Sequence, residues 1–341
     1  MPASKMLIDA FQVTNEIEII KFRIAYLHEF VDKVIIAESN LTHSGTAKPL
    51  YFTEWFPAID PRFKEKIEII YVPLTANMTT WERERFTREY LRDHLVENFY
   101  GSRFILSDVD EIPSVEQVRK LSASTDTFHF HTPTFFRRLN WMLPDDHRNW
   151  ARGVMGTISN AKLTNAGRYD KKLPRIEGAP GAHFSYLGFN SRSLLLKLES
   201  FAHHGEFNLD LWKSHIILNY SDKYIIDHLG RSRTKGFGVL EIVKNDQNIV
   251  VQAGAISMPE FFEFPLSTPI KIKRVLASIR LSAYVNRGFI SKTAQNKYNL
   301  SVFLSSNRLP ILLLISCEAI MSLFIPLYKK IRLNLKNKFN Y

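Results

Sequence analysis

Short runs of consecutive apolar residues alternate with helical segments through the first third of the chain. Residues 6–13, 34–39, 67–72 and 103–108 have the length and the aliphatic content of strands that are buried on both faces. Residues 81–98 instead repeat their apolar and charged positions with helical spacing. This order of elements predicts an α/β fold with a mostly parallel central sheet, right-handed crossovers and flanking helices, an arrangement that commonly binds nucleotides.

Local signals predict where some of these elements begin and end. Asn15 has the character of a helix N-cap, and the helix that follows it is expected to extend to about Asp32. Ser114 and Gln117 have the spacing of a capping box, so a second helix should begin there. Residues 127–131 alternate between polar and aromatic side chains, which predicts a further strand.

The apolar run at residues 104–106 ends in a group of acidic residues. Asp108, Asp110 and Glu111 follow it directly, and Pro113 then forbids further ladder pairing. In open α/β sheets ligands bind just outside the carboxyl ends of the strands, and carboxylates there suit a hard divalent cation. An Asp-x-Asp sequence also occurs in phosphatases and on protein surfaces, so the acids predict a metal site but leave its substrate open.

Arginine and histidine side chains elsewhere are candidate partners for such a site. Arg88 lies one helical turn after Glu84, so it either forms a surface ion pair or reaches a phosphate group. Three histidines in two later segments could be brought to a metal, although a single histidine more often has a structural role. They are His183, His203 and His204.

The net charge of +11 is confined to the C-terminal part of the chain. From Lys271 to Tyr341 there are 13 Lys and Arg and one acid, so the first 270 residues contain 32 basic and 33 acidic side chains. A nucleic-acid enzyme would be expected to carry basic residues around its active site, so we expect no nucleic-acid partner. The single cysteine excludes an internal disulfide framework, and the first residues lack the apolar segment of a signal peptide, so we expect a cytoplasmic protein.

The C-terminal sequence has the pattern of a membrane-surface region. Residues 271–287 combine an apolar stripe with basic neighbours, as helices on anionic bilayers do. Residues 311–328 are strongly apolar but contain Glu318, which favours interfacial insertion over a span, with packing on the domain as the alternative. The chain is thus predicted to have a catalytic domain at 1–245 and a helical, basic and apolar extension at 246–341, peripheral at the inner face of the plasma membrane.

Several motifs, in the same order, resemble glycosyltransferase family 17, the β-1,4-mannosyl-glycoprotein β-1,4-N-acetylglucosaminyltransferase family. The resemblance covers roughly residues 6–235, and we expect a bacterial-type member without the N-terminal anchor of the eukaryotic relatives. The motifs are Val34-Ile-Ile-Ala-Glu38-Ser39-Asn40, Gly45, Lys48-Pro49-Leu50, Phe52, Trp81, Glu84, Arg88, Ser107 to Pro113, Leu139-Asn140-Trp141, Gly181-x-His183-Phe-Ser and Ser200-Phe-Ala-His203.

The resemblance implies a GT-A-type fold and inverting transfer of a sugar from a UDP-sugar to a glycan or lipid-linked saccharide. The first candidate for the donor is UDP-N-acetylglucosamine. Asp108 and Asp110 would hold Mn²⁺ or Mg²⁺ against the diphosphate, and His183 would contact the metal or the phosphates. The residues implied in donor binding are Glu38, Ser39, Lys48, Arg88 and His183.

Inversion in one displacement needs a general base for the acceptor proton, and Glu206, Asp210 and Glu111 are the candidates. Ala182 stands where the family usually has Trp, and the segment with His203 is one residue longer than usual. These departures leave open an inactive membrane-associated scaffold with the same fold. A metal-dependent phosphoesterase is the other alternative function.

Overall fold

The structure is a computed structural model, and most of the first 200 residues are described in it. The described residues are 6–136, 138–143, 149–159, 168–187, 197, 199–202, 224–225, 238–239, 241–242 and 248–258. The chain divides into two compact units, one formed by residues 1–205 with 239–263 and the other by 206–238 with 264–341. The account below concerns the first unit except where the second is named.

The described part of the chain contains both short and long elements. Its strands are β1 (Leu7–Gln12), β2 (Lys33–Glu38), β3 (Ile67–Tyr71), β4 (Arg103–Asp108), β5 (Glu111–Ile112), β6 (Phe128–His129), β7 (Thr132–Phe136), β8 (Trp141–Met142), β9 (Asn149–Trp150), β10 (Val154–Thr157), β11 (Ala182–Ser185), β12 (Tyr224–Ile225), β13 (Gly238–Val239) and β14 (Glu241–Ile242). Its helices are α1 (Ile17–Leu27), α2 (Tyr51–Trp55), α3 (Pro61–Lys64), α4 (Thr80–Phe99), α5 (Val115–Ser122) and α6 (Ile249–Ser257), with a 3₁₀ turn at Phe56–Ala58.

The central sheet has the strand order β3-β2-β1-β4-β10-β6. The first four strands are parallel, and β10 is antiparallel to both of its neighbours. The predicted α/β class is therefore confirmed, and four strands of the central sheet are parallel as expected, although the sheet as a whole is of mixed orientation. The strand order reverses between β1 and β4, and Gln12 and Asp108 are register partners at the carboxyl ends of these strands. Such a reversal is where open α/β sheets form their ligand crevice.

A second, mixed sheet has the order β14-β8-β7-β11-β5, with β9 paired to β7. Its strand β5 begins immediately after the acidic loop, and in β11 His183 is the register partner of Glu111. A Cβ atom at Gly181 would overlap the carbonyl oxygen of Ile112, so only glycine allows the chain entering β11 to approach β5 this closely. The second sheet thereby brings His183 to the carboxyl end of β4.

Two hydrophobic clusters cover the two faces of the central sheet. In β1, Phe11 belongs to one cluster while Ile8 and Ala10 belong to the other. Because successive side chains of a strand point to opposite faces, this division confirms that the sheet is buried on both sides. Helix α1 packs on the first face and α4 on the second.

Helix α6 also contributes to the first of these clusters, through Val250 and Val251. This segment was predicted to belong to the C-terminal extension, whereas in the structure it belongs to the first compact unit. The remainder of the predicted extension, from residue 259, lies outside the described residues, and its boundary stays a prediction. The same holds for residues 271–287 and 311–328.

Two of the predicted element boundaries differ from the structure. Helix α1 ends at Leu27 and begins at Ile17, so its N-cap position is Glu16 rather than Asn15, and no side chain caps it. The Glu16 carboxylate instead accepts the backbone N–H groups of Thr14 and Asn15, both at 2.9 Å. The strand expected at 127–131 is only β6, since the chain then passes into the second sheet as β7. The Ser114 and Gln117 capping box is confirmed, with N···O distances of 3.2 and 3.0 Å.

Within the described ranges, no helix is both long enough and apolar enough to cross a membrane.

Candidate active site

A cavity of about 260 Å³ is lined by Gln12 and Asp108, the last residues of β1 and β4. Charged side chains of both signs face it. Its carboxylates are Glu16, Glu84, Asp108 and Asp110. Its permanent cations are Arg88, Arg168 and Lys197. The predicted site residues Asp108, Asp110, Arg88 and His183 are thus brought together in one cavity at the reversal of strand order.

Both carboxylate oxygens of Asp108 are bonded to arginine. Oδ1 lies 2.8 Å from Nη2 of Arg88 and Oδ2 lies 2.5 Å from Nη2 of Arg168. Burial opposes ionisation of Asp108, but the attraction of Arg168 and then of Arg88 outweighs it and holds its pKa well below the usual range. Arg88 also bonds Glu84 at 2.7 Å, so the ion pair expected from the sequence exists but lies in the cavity.

Asp110 forms its ion pair with a lysine instead of an arginine. Its Oδ2 accepts a hydrogen bond of 2.7 Å from Nζ of Lys197, and its Oδ1 lies 3.8 Å from Nε2 of His183. Burial again opposes ionisation, while Lys197 and then His183 lower the pKa of Asp110. Burial likewise opposes the charge of Lys197, but Asp110 and Glu16 raise its pKa overall. Asp110 and Lys197 therefore form a charged pair at neutral pH.

Glu111, the third acid, is fully buried beside the cavity rather than exposed to it. Its two oxygens accept hydrogen bonds of 2.7 and 2.8 Å from Arg168, and Oε2 also accepts the backbone N–H of Asp108. In this arrangement Glu111 positions Arg168 and the acidic loop, which fits a positioning role better than that of a general base. The other candidate bases, Glu206 and Asp210, lie outside the described residues, as do His203 and His204.

A buried ion pair between Arg23 and Asp9 lies next to the loop that carries Asp108, Asp110 and Glu111. The guanidinium group of Arg23 in α1 bonds the carboxylate of Asp9 in β1 at 2.8 and 2.5 Å, and both side chains are inaccessible to solvent. Nη1 of Arg23 also donates to the backbone carbonyls of Asp108, Val109 and Glu111 at 2.8, 3.2 and 3.0 Å. Arg23 therefore holds the turn that carries the acids.

Glu38, predicted to lie near the nucleoside, caps a helix in this structure. Its oxygens accept the backbone N–H groups of Phe52 and Thr53 at 2.8 and 2.9 Å, and the Thr53 hydroxyl at 2.7 Å. These are orphan donors at the N-terminus of α2, where a carboxylate is favoured. Ser39 is buried next to it and accepts the backbone N–H of Leu41 at 3.2 Å.

Lys48 lines a second cavity of about 120 Å³, together with Tyr51 and Thr14. Its Nζ lies 3.7 Å from Oε1 of Glu38. Burial lowers the pKa of Lys48, and the neighbouring Glu38 only partly opposes this. Thr14 lines both cavities, so they adjoin at the loop after β1.

Asp110 and His183 are the described residues best placed to hold a divalent cation. Two ligand atoms separated by 3.8 Å can both bind one ion at about 2.1 Å, and Mg²⁺ commonly takes only one or two carboxylates, with water and phosphate oxygens completing its shell. In the described part of the chain no group of three or more His, Cys, Asp or Glu side chains could hold a metal. The described residues thus offer at most these two ligands to a cation, water and phosphate oxygens would have to complete its shell, and Asp108 would join only by releasing a guanidinium group.

Sequence reasoning missed three cations of this site, Arg23, Arg168 and Lys197. A signal for Arg23 is present, because Ile19 and Leu27 lie four residues before and after it on the buried face of α1. A charged residue in such an apolar stripe needs a buried partner. Arg168 comes from a loop-like stretch without periodicity, so the sequence gives no comparable signal for it.

The ion pairs of Asp108 and Asp110 predict a loss of stability in acid. Their pKa values are lowered in the folded chain, so the folded state binds fewer protons than the unfolded state as the pH approaches the ordinary value of about 3.9. Their contribution is complete above about pH 5 and is lost progressively at lower pH. Urea unfolding between pH 7 and pH 3 measures this loss. In the Asp110→Asn variant, the free energy of unfolding should depend less on pH in the acid range. A variant whose stability falls in parallel with that of the wild type would contradict the contribution of the Asp110 ion pair.

Residues 1–222 match the sequence model of Glycosyltransferase family 17. The chain is also similar to the β-1,4-mannosyl-glycoprotein 4-β-N-acetylglucosaminyltransferases of Homo sapiens and Rattus norvegicus, with 26% and 25% identity over 151 residues. Each match covers 41% of this chain and 28% of the relative, so the shared segment is little more than a quarter of the length of these relatives.

Proposed function

We propose, because this chain belongs to glycosyltransferase family 17, that it is a metal-dependent inverting enzyme that transfers a sugar from a UDP-sugar to a saccharide hydroxyl group. The observation that carries the proposal is the pairing of Asp108 and Asp110 with three cations in a cavity at the reversal of strand order. N-acetylglucosamine is the first sugar to test, because it appears in the names of the curated relatives.

The cations of the cavity suit a diphosphate group. Arginine presents a planar fork of donors that matches phosphate oxygens, and Arg88 and Arg168 here both face the cavity with a carboxylate as their present partner. An incoming diphosphate would compete with Asp108 for these guanidinium groups and with Asp110 for Lys197. A bound Mn²⁺ or Mg²⁺ next to Asp110 and His183 would supply Lewis-acid stabilisation of the charge on the leaving diphosphate.

The smaller cavity is the proposed place of the nucleoside. It adjoins the acidic cavity at Thr14, and Tyr51 contributes an aromatic ring to its wall. Lys48 lies over that ring, with Nζ 5.6 Å from its centroid. Glu38 would act here indirectly, by fixing the N-terminus of α2 and the ammonium group of Lys48.

Inverting transfer forms a bond between the acceptor oxygen and the anomeric carbon while the bond from that carbon to the diphosphate breaks. The acceptor proton must pass to a base, and a carboxylate is suited to this. Glu206 and Asp210 remain the proposed bases, because both oxygens of Glu111 are occupied by Arg168.

Release of UDP from UDP-N-acetylglucosamine, UDP-glucose and UDP-galactose in the presence of Mn²⁺ tests the proposal. We expect one donor to be turned over, the rate to rise when a saccharide is added, and EDTA to abolish it until Mn²⁺ is restored. Phosphate release from simple esters without a nucleotide would favour a phosphoesterase instead. Tight UDP binding without turnover of any donor would favour the inactive scaffold.

A further inference from the structure

Two large aromatic side chains at the acidic cavity are exposed to solvent. Trp81 is 44% exposed and Tyr169 is 50% exposed, and both line the cavity. Most of the large aromatic residues of this unit are instead packed in its core, as Phe11 and Phe135 are. Exposed aromatic surface inside a polar cavity is typical of a binding site, because such rings offer a flat apolar face beside hydrogen-bonding groups.

Each ring lies close along the chain to a cation of the charged site. Trp81 lies in the first turn of α4, seven residues before Arg88, which is about 10 Å along the helix axis. Glu84 lies between them, one turn after the indole, and also lines the cavity. On this face of α4, Trp81 therefore places an aromatic ring near the solvent-exposed end of the cavity. Arg88 places a cation that suits a phosphate group deeper in the cavity.

Tyr169 directly follows Arg168, whose guanidinium group is bonded to Asp108 and Glu111. One face of the Tyr169 ring is covered by the guanidinium group of Arg152, whose central carbon lies 4.8 Å from the ring centroid. A cation in this position attracts the ring and restricts its orientation. The ring is thus held at the cavity while half of its surface remains accessible.

We propose that Trp81 and Tyr169 form a subsite for the acceptor saccharide, in which a pyranose ring stacks its C–H face on an aromatic ring. This inference rests on the proposed function. A diphosphate would bind more favourably to the cations deeper in the cavity. A neutral sugar has an apolar face that can stack on an aromatic ring, and its hydroxyl groups can donate hydrogen bonds to a carboxylate such as Glu84. The chemistry of the outer part of the cavity therefore matches the acceptor, and that of the inner part matches the donor.

Four disaccharides serve as acceptor probes with the preferred UDP-sugar and Mn²⁺: β-1,4-mannobiose, cellobiose, lactose and chitobiose. We expect Trp81→Ala to raise the KM of the best acceptor by about tenfold, the size of effect expected for the loss of one aromatic contact. Tyr169→Ala should act in the same direction, and Trp81→Phe should recover most of the loss. The donor KM should change much less than the acceptor KM.

Tyr100→Ala is the matched control, because Tyr100 is 66% exposed at the other end of α4. Saturation-transfer NMR on the same disaccharides needs no turnover, and the protons of one sugar face should receive as much saturation from Tyr100→Ala as from the wild type and clearly less from Trp81→Ala. This pattern without turnover of any donor would contradict the proposed function while supporting the subsite. An unchanged acceptor KM in both alanine variants, or a rise in donor KM alone, would overturn the subsite.

Discussion

Asp110→Asn is expected to lower the rate of acceptor-dependent UDP release by about 10³-fold, the loss typical of removing one electrostatic group from an active site. The amide keeps the shape of the carboxylate but not its charge, so the proposed cation next to His183 loses its anionic ligand. Lys197 loses its hydrogen-bonded counter-ion at the same time. Both effects change charges that would face the diphosphate, namely the proposed cation and Lys197. We therefore expect kcat to fall by a larger factor than the donor KM rises.

The measurement is kcat/KM for the donor as a function of Mn²⁺ concentration, together with the melting temperature of each variant. Asp93→Asn is the control, because Asp93 is an exposed acid on α4 that is paired with Arg92. We expect the control to match the wild type and Asp110→Asn to need more Mn²⁺ for its residual rate. Wild-type turnover in a well-folded Asp110→Asn variant would remove the acid from the proposed mechanism.

The four parallel strands β1 to β4 of the central sheet could be predicted because each is marked by its own sequence, whereas the antiparallel strand β10 was not predicted. An apolar run such as 34–37 is buried on both faces, and a proline or an acid ends it, so local information is sufficient. The second sheet lacks such marks. Strands β5, β8 and β9 have two residues each, and β11 pairs with strands that lie about 50 to 70 residues earlier in the chain.

The acids of the site and two of their neighbours, Arg88 and His183, were predictable, whereas two other partners were not. Asp108 and Asp110 follow a recognisable strand, which fixes them at its carboxyl end. The cations that bond them, Arg168 and Lys197, are 60 and 87 residues further along the chain. Only the folded chain brings them together, so the structure adds two cations to the acids, Arg88 and His183 that the sequence suggested.

Glu38 shows why a residue type at a strand end does not determine a role. A carboxylate there can face a ligand, but it can equally satisfy the backbone N–H groups of a short helix that begins nearby. Helix α2 has five residues and no side-chain cap from Leu50, and Glu38 supplies the acceptor for its first turn. Long-range capping of this kind has no spacing rule, so sequence alone could not separate the two roles.

Arg23→Met is expected to cost about 3 to 5 kcal/mol in the free energy of unfolding, because it leaves the buried carboxylate of Asp9 without its partner. The backbone carbonyls of Asp108, Val109 and Glu111 lose their donor in the same step. Urea denaturation measures the change. Lys120→Met, which breaks an exposed ion pair on α5, should stay within about 0.5 kcal/mol of the wild type.

The double variant Arg23→Met with Asp9→Leu separates the two consequences of losing this ion pair. Replacing both charges by apolar side chains removes the buried unpaired carboxylate, so we expect it to regain part of the stability. The carbonyls of the acidic loop still lack their donor, so transfer activity should stay low after stability has partly returned. If activity recovers together with stability, Arg23 stabilises the fold but does not position Asp108 and Asp110. A single Arg23→Met variant within about 1 kcal/mol of the wild type would contradict the buried ion pair itself.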